Sequence, residues 1–311
     1  MVAPASANII GKLANGIADD MLTTTALACT CQKIIAPAMN TNMYLNPIVQ
    51  DNMKRLQNYG FEMVEAASGH LACGDSGIGK LPEEKLLVEH IVRSIAREKD
   101  MKGMKVLVSA GATMEAIDPV RYITNHSTGK MGFALAKAAM LRGASVTVVK
   151  GHTEAEEPHF VKMVPVKSAQ QMFEAVKEEA ADADIVIMAA AVADYRPSEV
   201  YDQKVKKSDG EMSIALERTE DILAWVGAHK PEKLFVCGFS METRDLIENS
   251  TAKLKKKNMD MIVANNLKVP GAGFGVDTNV VTIITEQGIT ELPLQSKDGV
   301  AGHIADAIAN K

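Results

Sequence analysis

The stretch from Ser109 to Gly132, SAGATMEAIDPVRYITNHSTGKMG, gathers a dense set of hydrogen-bonding groups in one loop-like segment of this 311-residue chain. It closes on Asn125, His126, Ser127, Thr128, Gly129 and Lys130, just before an apolar-periodic run that starts at Phe133. Backbone N–H groups at a helix start, the helix dipole and a lysine together favour a phosphate or another anion. The plainer reading is a capped helix beneath a solvated loop. The length of the loop, punctuated by Gly111, Pro119 and Gly129, favours function, because long loops in compact domains are mostly functional or disordered.

Other segments carry chemistry of their own. Pro37 to Met43 places Asn40 after a short apolar run, where an amide can bind a ligand or simply make an Asx turn. His70 to Lys80 is glycine-dense and sets Cys73 among three glycines, an Asp and a Lys, a better setting for an acid or nucleophile than for a core thiol. Ser6 and Asn8 stand at a helix start, suited to capping or to a phosphate. Met188 to Tyr195 is rich in small residues that admit a planar or phosphorylated ligand, with Asp194 available to a ribose or a metal. Lys204, Lys206 and Lys207 form one basic run, and Lys253, Lys255, Lys256 and Lys257 another. Charge runs usually mark solvated faces, although Lys253 and Lys257 lie one helical turn apart and can share a ligand.

The elements that would position these residues alternate. Strands are expected at Lys105–Ser109, Ser145–Val149, Ile185–Met188, Leu234–Val236 and Met261–Ala264, with helices at Met131–Leu141, Ala169–Ala181, Glu220–Ala228 and Arg244–Asn258. That pattern implies an α/β fold with a doubly wound, mostly parallel sheet, ending in a hairpin whose strands are Asn279–Ile284 and Ile289–Leu292. A boundary falls at Glu98 to Gly103, after a helix over Pro82–Ala96. Before it lie a helix from Ile9, strands at Lys33–Ile35 and Phe61–Val64 and a helix at Pro47–Asn58. So little sheet, with no glycine-rich first turn, suggests a fragment, or a segment that completes its core against another subunit. The fragment is the favoured expectation.

Composition narrows the class. A net charge of −5 argues against a general nucleic-acid binder. No apolar run approaches the ~18–20 residues of a membrane span, and no secretion signal opens the chain. Four scattered cysteines (Cys29, Cys31, Cys73, Cys237) do not make a disulfide framework, so a reducing, cytoplasmic setting is expected. No metal-ligand spacing stands out.

Taken in order, PASAN, PAMNxxM, ACGDxGxGK, DPVRYITNHSTGKMG, AAAVADYRP, KVKK and GFSMET resemble the bacterial bifunctional phosphopantothenoylcysteine decarboxylase/phosphopantothenate–cysteine ligases of coenzyme A biosynthesis. The resemblance covers essentially the whole chain. It implies that residues 1–98 are the C-terminal part of a flavodoxin/Rossmann-like, FMN-dependent decarboxylase domain, N-terminally truncated and incomplete for decarboxylation by itself. Residues 103–311 would be a Rossmann-like ligase domain joining 4′-phosphopantothenate and L-cysteine with CTP and Mg2+. By the same resemblance, Asn40 binds substrate, Cys73 is the proton donor, and Ser6 and Asn8 line the FMN site. Asn125 would process the acyl-cytidylate and Lys204 would form it. Met188, Ala189, Ala190, Asp194, Glu220, Asp221, Ile222, Leu223, Phe239, Lys253 and Lys257 would hold CTP. Homo-oligomers are implied too, with paired ligase domains and trimeric decarboxylase domains. The competing readings are an NAD(P)-dependent Rossmann oxidoreductase, against which stands the absence of G-x-G-x-x-G after Val106, and a non-catalytic flavoprotein-like regulatory subunit.

Overall fold

The computed structural model describes residues 1–70, 76–206, 213–242, 245–266, 273 and 275–310. They form two compact units, Met1–Arg97 and Glu98–Lys311.

In the first unit, Val2–Ala5, Ile34–Pro37 and Glu62–Met63 make a three-stranded parallel sheet in that order. The central strand is buried along its whole length because both faces are covered. Ile35 packs with Ile10, Met53 and Leu56 on one face, and Ile34 and Ala36 with Val64 and Leu87 on the other. The helix expected from Ile9 begins at Ala7 and runs to Ala14, while Pro47–Asn58 and Glu84–Ile95 form two more. The helices Met21–Ala28 and Thr41–Leu45 and an antiparallel hairpin of Ala67–His70 with Ser76–Lys80 are additional to the sequence expectation.

The second unit is built on one eight-stranded sheet. Its strands are β1 (Lys105–Ala110), β2 (Ser145–Lys150), β3 (Lys162–Pro165), β4 (Ile185–Met188), β5 (Phe235–Glu242), β6 (Met261–Asn266), β7 (Thr278–Thr285) and β8 (Gly288–Ser296). They lie in the order β3-β2-β1-β4-β5-β6-β7-β8. All pairs from β3 to β6 are parallel; β7 and β8 close the sheet as an antiparallel hairpin. Alternation along β1 sends Val106 and Val108 to one face, where helices α1 (Lys130–Leu141) and α5 (Lys297–Ala309) supply Phe133, Leu135, Val300 and Ile304. Leu107 faces the other side, against Met172 and Val176 of α2 (Ala169–Ala180), Val226 of α3 (Ile222–His229) and Leu254 of α4 (Leu246–Lys256).

Several boundaries move. The strand expected at Leu234–Val236 runs from Phe235 to Glu242, and the helix expected from Glu220 starts at Ile222 because Asp221 caps it. The helix expected from Arg244 starts at Leu246, and Arg244 lies outside the described residues. β3 and α5 are also additional.

The chain crosses the sheet between β1 and β4, so the loops leaving their carboxyl ends open the crevice in which ligands of such sheets bind. The long loop after β1 contains a short antiparallel pair, Met114–Ala116 with Tyr122–Thr124. Its entry depends on Gly111, at φ +82°, where an added Cβ would lie 2.4 Å from the His152 carbonyl oxygen. Left-handed strain and a clash with a backbone atom both follow, so Gly111→Ala is expected to cost about 3 kcal/mol. A melting transition lowered by roughly 6–12 °C would register that loss; an unchanged transition would contradict it.

Candidate functional site

The loop after β4 is fastened to the loop after β1 from below. Ser109 and Thr113 are fully buried, and their hydroxyls accept from the backbone N–H of Ala190 (3.1 Å) and Ala193 (3.0 Å). Ala191 N–H donates to the Gly111 carbonyl at 2.8 Å. Asn125 completes the fastening from above: its Nδ2 donates to the carbonyls of Ala191 (3.3 Å) and Val192 (3.1 Å). Only a donor can make that bridge, which orients the amide and leaves Oδ1 as its acceptor.

Two clefts open over these loops. One, of about 480 Å³, is walled by residues 125–131, by Ala189 to Val192 and by Ser240, Lys253, Asn279 and Lys297. The other, of about 500 Å³, is walled by Met188, by Tyr195 and by Arg218 to Leu223 with Lys257. Ala190, Val192, Asp194 and Phe239 line both, so the two adjoin. Of the residues named from sequence for the ligase chemistry, Asn125, Met188, Ala189, Ala190, Asp194, Glu220, Asp221, Ile222, Leu223, Phe239, Lys253 and Lys257 all lie on these walls. Lys204 lines neither cleft; it stands on an exposed segment after the short strand Tyr195–Pro197.

Charge in the clefts is organised by pairs. Asp221 caps α3 through Ala224 N–H (3.0 Å) and takes the Lys257 ammonium at 2.9 Å. Burial works to raise the Asp221 carboxyl, but Lys257 and the Ala224 N–H outweigh it and hold it below the ordinary carboxylate value. At the start of α1, Gly129 caps the helix with φ +77° and no side-chain cap, so no side chain of its own covers the first-turn N–H groups. Beside it Lys130 pairs with Asp277 at 2.6 Å.

Lys297 was not singled out from sequence. It is only 6% exposed, donates to the carbonyls of Gly273 and Val276, and has its ammonium pushed down by burial and then by Lys130. No spacing links residue 297 to residue 130; the packing of α5 beside α1 on one face does. Asn265 and Asn279, paired across β6 and β7 at 3.2 Å, were missed for the same reason. Ser240 lies within the quoted GFSMET run, which could have pointed to it.

In the first unit, Ser6 caps Ala7–Ala14, its Oγ accepting from Ile9 N–H at 3.4 Å, and Asn8 lies in that helix's first turn. Asn40 follows the central strand and caps Thr41–Leu45, accepting from Asn42 N–H at 2.9 Å. The glycine-rich strand Ser76–Lys80 packs directly on this turn: Met39 N–H donates to Gly79 O at 3.0 Å and Thr41 Oγ1 to Ile78 O at 2.9 Å. Cys73 and Lys207 lie outside the described residues. Among the described residues there is no group of three or more His, Cys, Asp or Glu that could hold a metal ion, and no helix long and apolar enough to cross a membrane.

Comparison with known proteins matches both units. Residues 1–96 match the flavoprotein family model, and residues 101–311 match that of the DNA/pantothenate metabolism flavoprotein C-terminal domain. The chain is 49% identical to the coenzyme A biosynthesis bifunctional protein CoaBC of Bacillus subtilis (strain 168), over 99% of this chain and 77% of that protein. It is 44% identical to a cysteine/cysteine sulfinic acid decarboxylase of an unknown prokaryotic organism, over 98% of this chain and 86% of that protein. Among solved structures it resembles the C-terminal domain of a coenzyme A biosynthesis bifunctional protein CoaBC, with TM-score 0.59 and 42% identity over 68% of this chain and 97% of that one.

These findings correct the expectation that residues 1–98 carry too little sheet to make a unit of their own. Residues 1–96 match the flavoprotein model in their own right, and residues 1–97 form a compact unit with buried clusters of its own. Counting strands had understated the segment, because its helices cover the sheet on both faces. With family matches over residues 1–96 and 101–311, and a CoaBC relative 49% identical over 99% of this chain and 77% of its own length, the chain belongs to the CoaBC family of coenzyme A biosynthesis bifunctional proteins.

Proposed function

We propose that residues 103–311 form a Rossmann-like phosphopantothenate–cysteine ligase that uses CTP, and that residues 1–98 serve an FMN-dependent phosphopantothenoylcysteine decarboxylase. The observation that carries the ligase reading is the convergence of Asn125 and the expected nucleotide set on two adjoining clefts at the carboxyl ends of the sheet strands.

A carboxylate resists attack because its charge repels nucleophiles and oxide is a poor leaving group. In the proposed first step a carboxylate oxygen of 4′-phosphopantothenate attacks the α-phosphorus of CTP. The bond from that phosphorus to the bridging oxygen breaks, pyrophosphate leaves and an acyl-cytidylate remains. Lys204, with Lys253 and Lys257, offsets the charge gathering on the phosphates, the main source of catalysis in such transfers. Asp221 keeps Lys257 at the rim of the 500 Å³ cleft. In the second step the amine of L-cysteine attacks the acyl carbon, CMP leaves with the bonding pair, and the amine gives up a proton. Asn125 orients the acyl group through Oδ1 while Nδ2 remains held by Ala191 and Val192. Mg2+ would reach the site on the nucleotide phosphates, as that ion commonly does.

In the decarboxylase unit Ser6 Oγ, the first-turn N–H groups and the Asn8 amide suit in kind the phosphate of FMN. FMN would supply the redox chemistry of decarboxylation. Asn40, on a turn braced by Ser76–Lys80, would bind the substrate, and Cys73 would deliver a proton. Ligase pairing, decarboxylase trimers and a cytoplasmic location belong to the same reading.

The test is pyrophosphate release from CTP in the presence of 4′-phosphopantothenate, followed by CMP release when cysteine is added. Stoichiometric release of both supports the ligase. A protein that binds CTP and phosphopantothenate yet releases no pyrophosphate would favour the regulatory subunit instead.

A further inference from the structure

We propose that Asp118 is a positioning residue for Lys204, acting through a carboxylate–guanidinium clasp that grips the backbone of the lysine-bearing segment; this rests on the ligase reading of Lys204. In sequence, DPVRY and KVKK are separate motifs with nothing to connect them. In the fold two bonds join them directly and a third ties their flanking residues. Val205 N–H donates to Asp118 Oδ2 at 3.1 Å, Arg121 Nη2 donates to the Val205 carbonyl at 2.9 Å, and Tyr201 N–H donates to the Ile117 carbonyl at 3.0 Å. Both backbone polar groups of Val205 are therefore held from the 117–121 turn.

The clasp is built around a buried charge. Asp118 is 3% exposed and also accepts from Val120 N–H (2.8 Å), Arg121 N–H (2.9 Å) and Arg121 Nε (3.0 Å). The Arg121 guanidinium holds its carboxyl far below the usual carboxylate range, against the opposing effect of burial. The turn is closed locally, by the Val120 and Arg121 N–H groups on Asp118 Oδ1 and by the Ile117 (2.9 Å) and Asp118 (3.3 Å) N–H groups on the Arg121 carbonyl. Asp118 Oδ2 and the second hydrogen-bond direction of Arg121 reach beyond it, to the residue next to Lys204.

Lys204 is exposed and lines neither cleft, so the reach of its ammonium depends on where the backbone at 204–205 is held. Misplacing a charge by about 1 Å can cost roughly 100-fold in rate. The clasp thus constrains the residue proposed to form the acyl-cytidylate, whereas Asn125 is held independently through Ala191 and Val192.

Asp118→Asn separates these roles. The amide keeps one acceptor but presents N–H donors where Arg121 and Val205 already donate. In the full chain, pyrophosphate release is expected to slow about 30- to 100-fold. Cysteine-dependent CMP release from supplied acyl-cytidylate should stay within about 3-fold, because no clasp residue holds Asn125. Tryptic cleavage after Lys204 and Lys206 should speed at least about 10-fold in the same variant, since proteolysis follows local opening. The proteolytic arm reads the clasp even if wild-type protein releases no pyrophosphate, which would count against the ligase reading alone. Equal slowing of both half-reactions, or cleavage at Lys204 unchanged from wild type, overturns the proposal. Should Asp118→Asn not fold, Val205→Pro removes the N–H donor to Asp118 while also fixing φ at 205 and restricting Lys204, and the same selective pattern is expected from it.

Discussion

Lys204→Gln is expected to reduce pyrophosphate release from CTP by about 100- to 1,000-fold, the cost typical of removing one preorganised group that meets developing charge. The glutamine keeps hydrogen-bonding capacity and nearly the same reach but carries no charge. Lys253 and Lys257 remain on the cleft walls, so nucleotide binding should weaken far less than turnover. Single-turnover pyrophosphate release across a range of CTP concentrations separates the two effects: a fall in kcat with KM nearly unchanged assigns Lys204 to the transition state. Wild-type turnover in this variant would remove Lys204 from the mechanism, and with it the reason for the Asp118 clasp.

Asn125→Asp should produce the opposite block. The wild-type amide donates to two carbonyls, and a carboxylate at that position can donate to neither and is repelled by both. Acyl-cytidylate is expected to form and accumulate, because the first half-reaction proceeds with Lys204 intact. Attack by cysteine should slow about 100-fold, a loss in the range for a group that orients a reacting acyl centre. Acid-quenched reactions resolved by chromatography would show a standing pool of acyl-cytidylate in the variant and almost none in the wild type. Equal rates of CMP release in the two proteins would reject the role.

These two residues illustrate how unevenly the site was legible. Asn125 sits in a motif dense with polar groups before a helix, and the structure brings it to the cleft wall. Lys204 is equally visible as part of KVKK, yet the cleft walls do not include it, and its surroundings depend on a buried Asp–Arg pair more than 80 residues earlier. A charge run shows that cations are present; it does not say what holds them.

The understated core of residues 1–98 has a physical cause. Strand counting treats a short apolar run as too little core, but Ile34–Pro37 is buried on both sides, against Ile10, Met53 and Leu56 on one face and Leu87 on the other. In the second unit the same counting succeeded, since strands and helices alternate regularly along it.

By itself the sequence determined the alternation of strands and helices in the second unit, the long polar loop after β1 and the order of the family's motifs. These are local properties: periodicity, turn chemistry and residue type are written within a few neighbouring positions. Only the tertiary structure decided that Lys297 and Lys130 share a cleft, that the loops after β1 and β4 are bolted through Ser109, Thr113 and Asn125, and that Asp118 grips the segment bearing Lys204. Each of those contacts joins residues far apart in the chain, and sheet order and helix packing, which local patterns do not encode, bring them within hydrogen-bonding distance.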